Sequence, residues 1–96
     1  MVVLVTYDVS TQTKPGQRRL RRIAKACESS GQRVQFSVFE CNVTPPLWAQ
    51  LRGKLLSMYD PEEDSLRFYF LGDDDVRQAE HHGTKPSIDF EGPLVL

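Results

Sequence analysis

No stretch of the 96-residue sequence approaches the roughly 18 to 20 consecutive apolar residues that a membrane span needs. The N-terminus enters a strand-like segment directly, without a basic lead or a cleavage site, so a cytoplasmic protein with no membrane association is expected. Cysteine is scarce: Cys27 and Cys41 form no CxxC pair, which excludes a zinc ribbon and a disulfide framework and leaves two packed, reduced thiols. Internal repeats and low-complexity linkers are also missing. With 40% hydrophobic residues, the chain suffices for one core and is too short for two. A single domain over residues 1–96 is expected, with residues 73–96 as its tail.

Charge is plentiful but unevenly placed. Residues 1–56 carry nine Lys and Arg against Asp8, Glu28 and Glu40, whereas residues 57–96 carry three against ten acids. The net charge of -1 argues against indiscriminate polyanion binding, yet a local basic face is what holds a phosphate backbone.

Val2 to Tyr7 is β-branched and aromatic almost throughout, the pattern of a central strand buried on both faces. It ends at Asp8, and Ser10, Thr11, Thr13, Pro15 and Gly16 read as a loop. Within Gln17–Ser30, Leu20, Ile23, Ala24 and Cys27 form one helical stripe, and Arg18, Arg21, Arg22 and Lys25 fall opposite with Arg19 on their flank. Gly31 suits a left-handed helix end. Arg33–Val43 is extended, as one bent strand or as two short ones breaking near Ser37. Thr44 before Pro45 and Pro46 starts a second helix, with Leu47, Leu51, Leu55 and Met58 as its apolar stripe and the acidic turn 60–64 as its close. Ser65–Leu71 alternates as a strand. The order βαββαβ predicts an α+β, ferredoxin-like sandwich with both helices on one face of the sheet. The apolar end Pro93–Leu96 reads as a docking strand.

Asp8 is the most informative position, because a carboxylate closing an apolar central strand is costly to bury without a cation or hydrogen bonds. Its bland alternative is a cap on the following loop through Ser10 or Thr11. One carboxylate makes a poor Mg²⁺ site, but a two-fold axis that joins two Asp8 residues would let them share one metal. His81 and His82 read as ordinary loop residues, and Asp73-Asp74-Asp75 as a solvated acidic loop without EF-hand spacing. Five cations between positions 18 and 25 with no intervening acid favour phosphate contact over simple surface coating.

Val5-Thr6-Tyr7-Asp8, the Arg-rich first helix, the run from Gly31 through Glu40 containing Gln35-Phe36-Ser37-Val38-Phe39-Glu40, and Asp64-Ser65-Leu66-Arg67-Phe68-Tyr69 together resemble the CRISPR-associated Cas-two family over nearly the whole chain. Glu80-His81, Gly83-x-Lys85-Pro86 and Gly92-Pro93-Leu94 are similar to the subgroup that accompanies type I-C systems, from which Asp73-Asp74-Asp75 departs where an aromatic and basic stretch would stand. The resemblance implies a ferredoxin-like homodimer whose C-terminal strand adds across to the partner's sheet, with Mg²⁺ or Mn²⁺ between paired aspartates at Asp8. It implies endonuclease activity on RNA or DNA, and a place in spacer acquisition as the central dimer of a complex with the Cas-one integrase.

On this reading Asp8 is the metal ligand and catalytic centre, Tyr7 and Ser37 are positioning groups beside it, and Arg18, Arg19, Arg21, Arg22 and Lys25 contact phosphates. The rival reading is a non-catalytic scaffold for duplex DNA, in which Asp8 shapes the dimer. A small-molecule regulatory domain on the same fold would want a polar ligand-binding loop.

Overall fold

Seven elements make up the computed structural model, in which residues 1–72 and 79–84 are described: β1 (Val2–Asp8), α1 (Lys14–Glu28), β2 (Gln32–Gln35), β3 (Val38–Asn42), α2 (Pro45–Met58), β4 (Ser65–Leu71) and β5 (Ala79–Gly83). The strands form one sheet in the order β2-β3-β1-β4-β5, every neighbouring pair antiparallel. This is the ferredoxin-like βαββαβ arrangement with an additional C-terminal strand.

The apolar run of β1 takes the central place, between β3 and β4. Its alternate residues Val3, Val5 and Tyr7 join Phe39, Cys41, Leu66 and Phe68 in the core beneath the helices. Leu4, on the opposite face, is 1% exposed, so burial on both faces holds. The extended segment after α1 divides in two, with Phe36 and Ser37 between β2 and β3.

Helix α1 begins before its apolar periodicity does. Thr13 is the N-cap and accepts the Gly16 amide at 3.1 Å, with Pro15 in the first turn where its missing donor costs nothing. Pro15 and Gly16 are therefore helical, not loop. The helix ends through Ser29 in a right-handed conformation, and Gly31 is not left-handed. Gly31 is needed for space instead: a Cβ there would lie 2.5 Å from the Glu40 carbonyl oxygen.

Helix α2 starts at the Thr44 cap, as the Pro45-Pro46 pair requires. Its buried stripe is Trp48, Leu51 and Leu55, while Leu47 is exposed. Trp48 takes the place expected of Leu47 because its indole packs edge-on against Phe68 and Phe70, with centroids 4.9 and 5.8 Å away, and buries far more apolar surface than leucine would.

The strand β5 corrects the reading of His81 and His82 as loop residues. Both lie in β5, opposite Arg67 and Leu66 of β4. Pleating sends Glu80 and His82 to the helix side, where Arg52 of α2 grips Glu80 through Nε at 2.8 and 3.0 Å and also through Nη2. A polar strand lies at this edge because α2 supplies the countercharge. The Asp73–Asp75 segment and the docking strand expected at Pro93–Leu96 lie outside the described residues.

Candidate functional site

The last residue of β1 stands opposite Ser65, the first of β4. Two contacts from the β2–β3 turn brace this end of the strand: the Tyr7 amide donates to the Ser37 carbonyl at 3.1 Å, and the Tyr7 hydroxyl to the Phe36 carbonyl at 3.4 Å. Tyr7 points into the core, and burial above all raises its pKa to about 12, so its phenol is a neutral donor at physiological pH. The alternation of the strand sends Asp8 to the opposite face, where it is exposed. The expectation of a carboxylate costly to bury therefore fails within one chain: the strand stops before the core encloses Asp8. Tyr7 and Ser37 meet one another and flank Asp8 through the backbone, and neither side chain is brought to the Asp8 carboxylate by a described contact.

A different carboxylate holds the following loop. The Asp64 side chain is buried (0% exposed), and its Oδ1 accepts the Ser10 amide at 3.1 Å. Its Oδ2 accepts the Asp60 amide at 2.9 Å and Arg19 Nε at 2.9 Å, and Arg19 Nη2 reaches Oδ1 at 3.4 Å. Burial alone would raise the Asp64 pKa, but the Arg19 guanidinium and the two amides outweigh it and hold the carboxyl below its ordinary value. Asp64 closes the acidic turn after α2 and heads the family motif that runs into β4. Nothing in periodicity or composition separates it from Asp60, Glu62 and Glu63; only the fold buries it.

The same contact removes Arg19 from the outward set. Arg18, Arg21, Arg22 and Lys25 are exposed and line a shallow concavity of about 270 Å³ on α1. Their helix packs its Ile23, Ala26 and Cys27 side on the sheet, so these four cations and Asp8 belong to opposite layers of the molecule. One phosphate cannot meet both within a single chain.

Among the described residues no group of three or more His, Cys, Asp and Glu side chains could hold a metal ion. His82 Nε2 lies 2.6 Å from Glu80 Oε2, with Glu80 committed to Arg52. His81 lies on the face of Arg67 and Asp8; burial first, then Arg67 and His82, lower its pKa. Asp8, the last residue of β1, offers a divalent cation an exposed carboxylate, and one carboxylate is a donor suited to sharing between two chains rather than to a closed site within one. Phe36 (89% exposed) and Val34 (43%) lie on and beside the outer strand β2.

A family model described as CRISPR associated protein Cas2 matches residues 1–79. The chain belongs to the Cas2 family. It is 62% identical over 96 residues to the CRISPR-associated endoribonuclease Cas2 of Chlorobaculum tepidum, each chain covered in full. It is 53% identical, again over the full length of both, to the CRISPR-associated endonuclease Cas2 of Halalkalibacterium halodurans. The crystal structure of Streptococcus pyogenes Cas2 at pH 6.5 superimposes with a TM-score of 0.70 and 54% identity, over 75% of this chain and 87% of that one. The span matched as Cas2 contains Asp8, the cationic face of α1 and Asp64. No helix among the described residues of this Cas2 chain is long and apolar enough to cross a membrane.

Proposed function

We propose that this chain is a Mg²⁺- or Mn²⁺-dependent endonuclease subunit acting on RNA or DNA as a homodimer. The observation that carries the reading is the placement of Asp8: exposed, at the end of the central strand, on the face away from both helices. There it can meet its counterpart from a second copy without either helix intervening. Relatives named endoribonuclease and endonuclease support the reaction class.

The two Asp8 carboxylates would hold the cation, which supplies positive charge to a phosphate oxygen and acidifies an attacking water. The chain's own residues supply placement. Tyr7 and Ser37 tie the end of β1 to the β2–β3 turn, Arg18, Arg21, Arg22 and Lys25 hold backbone phosphates on the outer layer, and Arg19 acts through Asp64. The exposed Val34 and Phe36 beside the open edge of β2 suit a sheet that pairs with a second copy, and the apolar tail Pro93–Leu96 suits the added strand. The tail sequence further supports membership in the type I-C subgroup. Membership of the Cas2 family supports a place in spacer acquisition together with the Cas-one integrase.

The scaffold reading draws on the separation of the cationic face from Asp8, which lets a duplex lie on α1 without reaching a cleavage centre. A cleavage assay on RNA, single-stranded DNA and duplex DNA, with divalent metal or EDTA, decides between them. Metal-dependent cleavage that Asp8→Asn removes supports the nuclease; binding without cleavage that Asp8→Asn affects supports the scaffold.

A further inference from the structure

We propose that Asp64 is a positioning residue for Asp8: its buried carboxylate holds the chain that leaves β1 so that Asp8 presents its carboxylate to a shared divalent cation in one orientation. The inference rests on the reading of Asp8 as the ligand of that cation.

Four donors from three segments converge on this one side chain. The Ser10 amide comes from the loop two residues beyond Asp8, the Asp60 amide from the turn after α2, and two guanidinium nitrogens from Arg19 on α1. The Asp64 main chain is equally committed, since its amide donates to the Asp60 carbonyl at 2.8 Å and its carbonyl accepts the Thr84 amide at 3.2 Å. Gly83 lets β5 approach that closely: it has a φ of 113°, and a Cβ on it would lie 2.0 Å from the Asp64 carbonyl oxygen. The row Asp8, Ser65, Gly83 across three strands therefore has Asp64 as the common anchor at its side.

An ion pair needed only for stability would be complete with Arg19. Here each carboxylate oxygen also accepts a backbone amide, Oδ1 from Ser10 and Oδ2 from Asp60. The Ser10 bond is the one that fixes where the chain goes after Asp8. A two-fold site magnifies errors at this point, because a shift of Asp8 in one chain is repeated in the other and the two carboxylates separate by the sum. Groups that orient metal ligands from behind commonly govern metal affinity by ~10- to 100-fold.

Asp64→Asn is a discriminating change. An amide has one acceptor oxygen, so whichever way it turns, its NH₂ faces the amide of either Ser10 or Asp60. Arg19→Lys is the milder second variant, which keeps the charge and loses the two-point grip. Leu55→Ala is the control, since Leu55 is a core residue of α2 outside this cluster; Leu55→Val serves if a smaller loss of melting temperature gives the closer match to Asp64→Asn.

Mn²⁺ binding is measured by electron paramagnetic resonance on the purified full-length protein without nucleic acid, alongside metal-titrated cleavage. Asp64→Asn should raise the Mn²⁺ dissociation constant ~10-fold or more and lower kcat, with KM for nucleic acid within ~2-fold of wild type. Arg19→Lys should move the same quantities less, and the stability-matched control should leave Mn²⁺ binding unchanged. If Asp8→Asn abolishes Mn²⁺ binding while Asp64→Asn and Arg19→Lys leave it at the wild-type value, the positioning role is overturned. A control that loses Mn²⁺ binding as Asp64→Asn does overturns it too, by showing a general stability effect. If Asp8→Asn itself leaves Mn²⁺ binding unchanged, the reading of Asp8 as ligand falls, and this inference with it.

Discussion

Arg19 and Asp64 lie 45 residues apart in sequence and meet through Arg19 Nε and Asp64 Oδ2 at 2.9 Å. The bond joins the helix that carries the cationic face to the turn that leads into β4, immediately beside the end of β1. It divides the arginines of α1 into two kinds. Arg19 is occupied with an internal carboxylate, whereas Arg18, Arg21 and Arg22 point to solvent.

Asp8→Asn is expected to abolish metal-dependent cleavage, a loss of at least ~100-fold in kcat, and to leave the dimer and nucleic-acid affinity near wild type. The amide keeps the shape and one acceptor oxygen but removes the charge that a divalent cation requires. Equal metal-dependent cleavage by both proteins at matched purity would remove Asp8 from the mechanism. Loss of the dimer in the variant, seen by analytical ultracentrifugation, would make its role structural.

Replacing Arg18 and Arg22 together with Ala should flatten the dependence of log affinity on log salt by about 1.4 to 1.8 units, at ~0.7 to 0.9 unit for each phosphate no longer neutralised. Fluorescence anisotropy across a salt series measures the slope. An unchanged slope and affinity would place the binding surface elsewhere.

Deleting residues 92–96 should weaken the dimer, because the apolar tail would no longer cover a sheet edge of its partner. Sedimentation equilibrium over a concentration series gives the dissociation constant, with an increase of ~10-fold or more expected. A truncated chain that associates as tightly as the full one would refute strand exchange through the tail. Phe36→Ser tests the edge beside β2 independently, by exposing less apolar surface there.

Folding stability should fall steeply in acid. Arg19 and the two amides hold Asp64 below its ordinary value of 3.8 against the opposing effect of burial, and Arg52, then His82, hold Glu80 below 4.5. Each depressed carboxyl binds fewer protons folded than unfolded, so its contribution is complete above the unfolded value and is lost as pH falls through the folded one. Urea denaturation between pH 6 and pH 2.5 should show the loss beginning below about 4.5. Asp64→Asn and Glu80→Gln should each be less stable at pH 7 and show a shallower acid limb. A variant with an acid limb as steep as wild type would clear its carboxylate of a part in acid unfolding.

The amino-acid pattern determined by itself those features that depend on neighbours along the chain. The uninterrupted apolar run of β1, the alternation of β4, the Thr44-Pro45 helix start and the arc of cations on α1 are all local, and each is present where its pattern says. The stripe of α2 was legible in Leu51, Leu55 and Met58 but not in its first member, since whether Leu47 or Trp48 turns inward depends on Phe68 and Phe70 across the interface. The family motifs pointed to Asp8, and no periodicity could say that the strand would leave it exposed. Tertiary structure alone decided the rest. Glu80 sits in a strand because Arg52 faces it, with His82 joined through Glu80, and Asp64, marked along the chain only as the head of a family motif, becomes a buried anchor because folding carries Ser10 and Arg19 to it, a convergence of distant segments that a linear pattern does not encode.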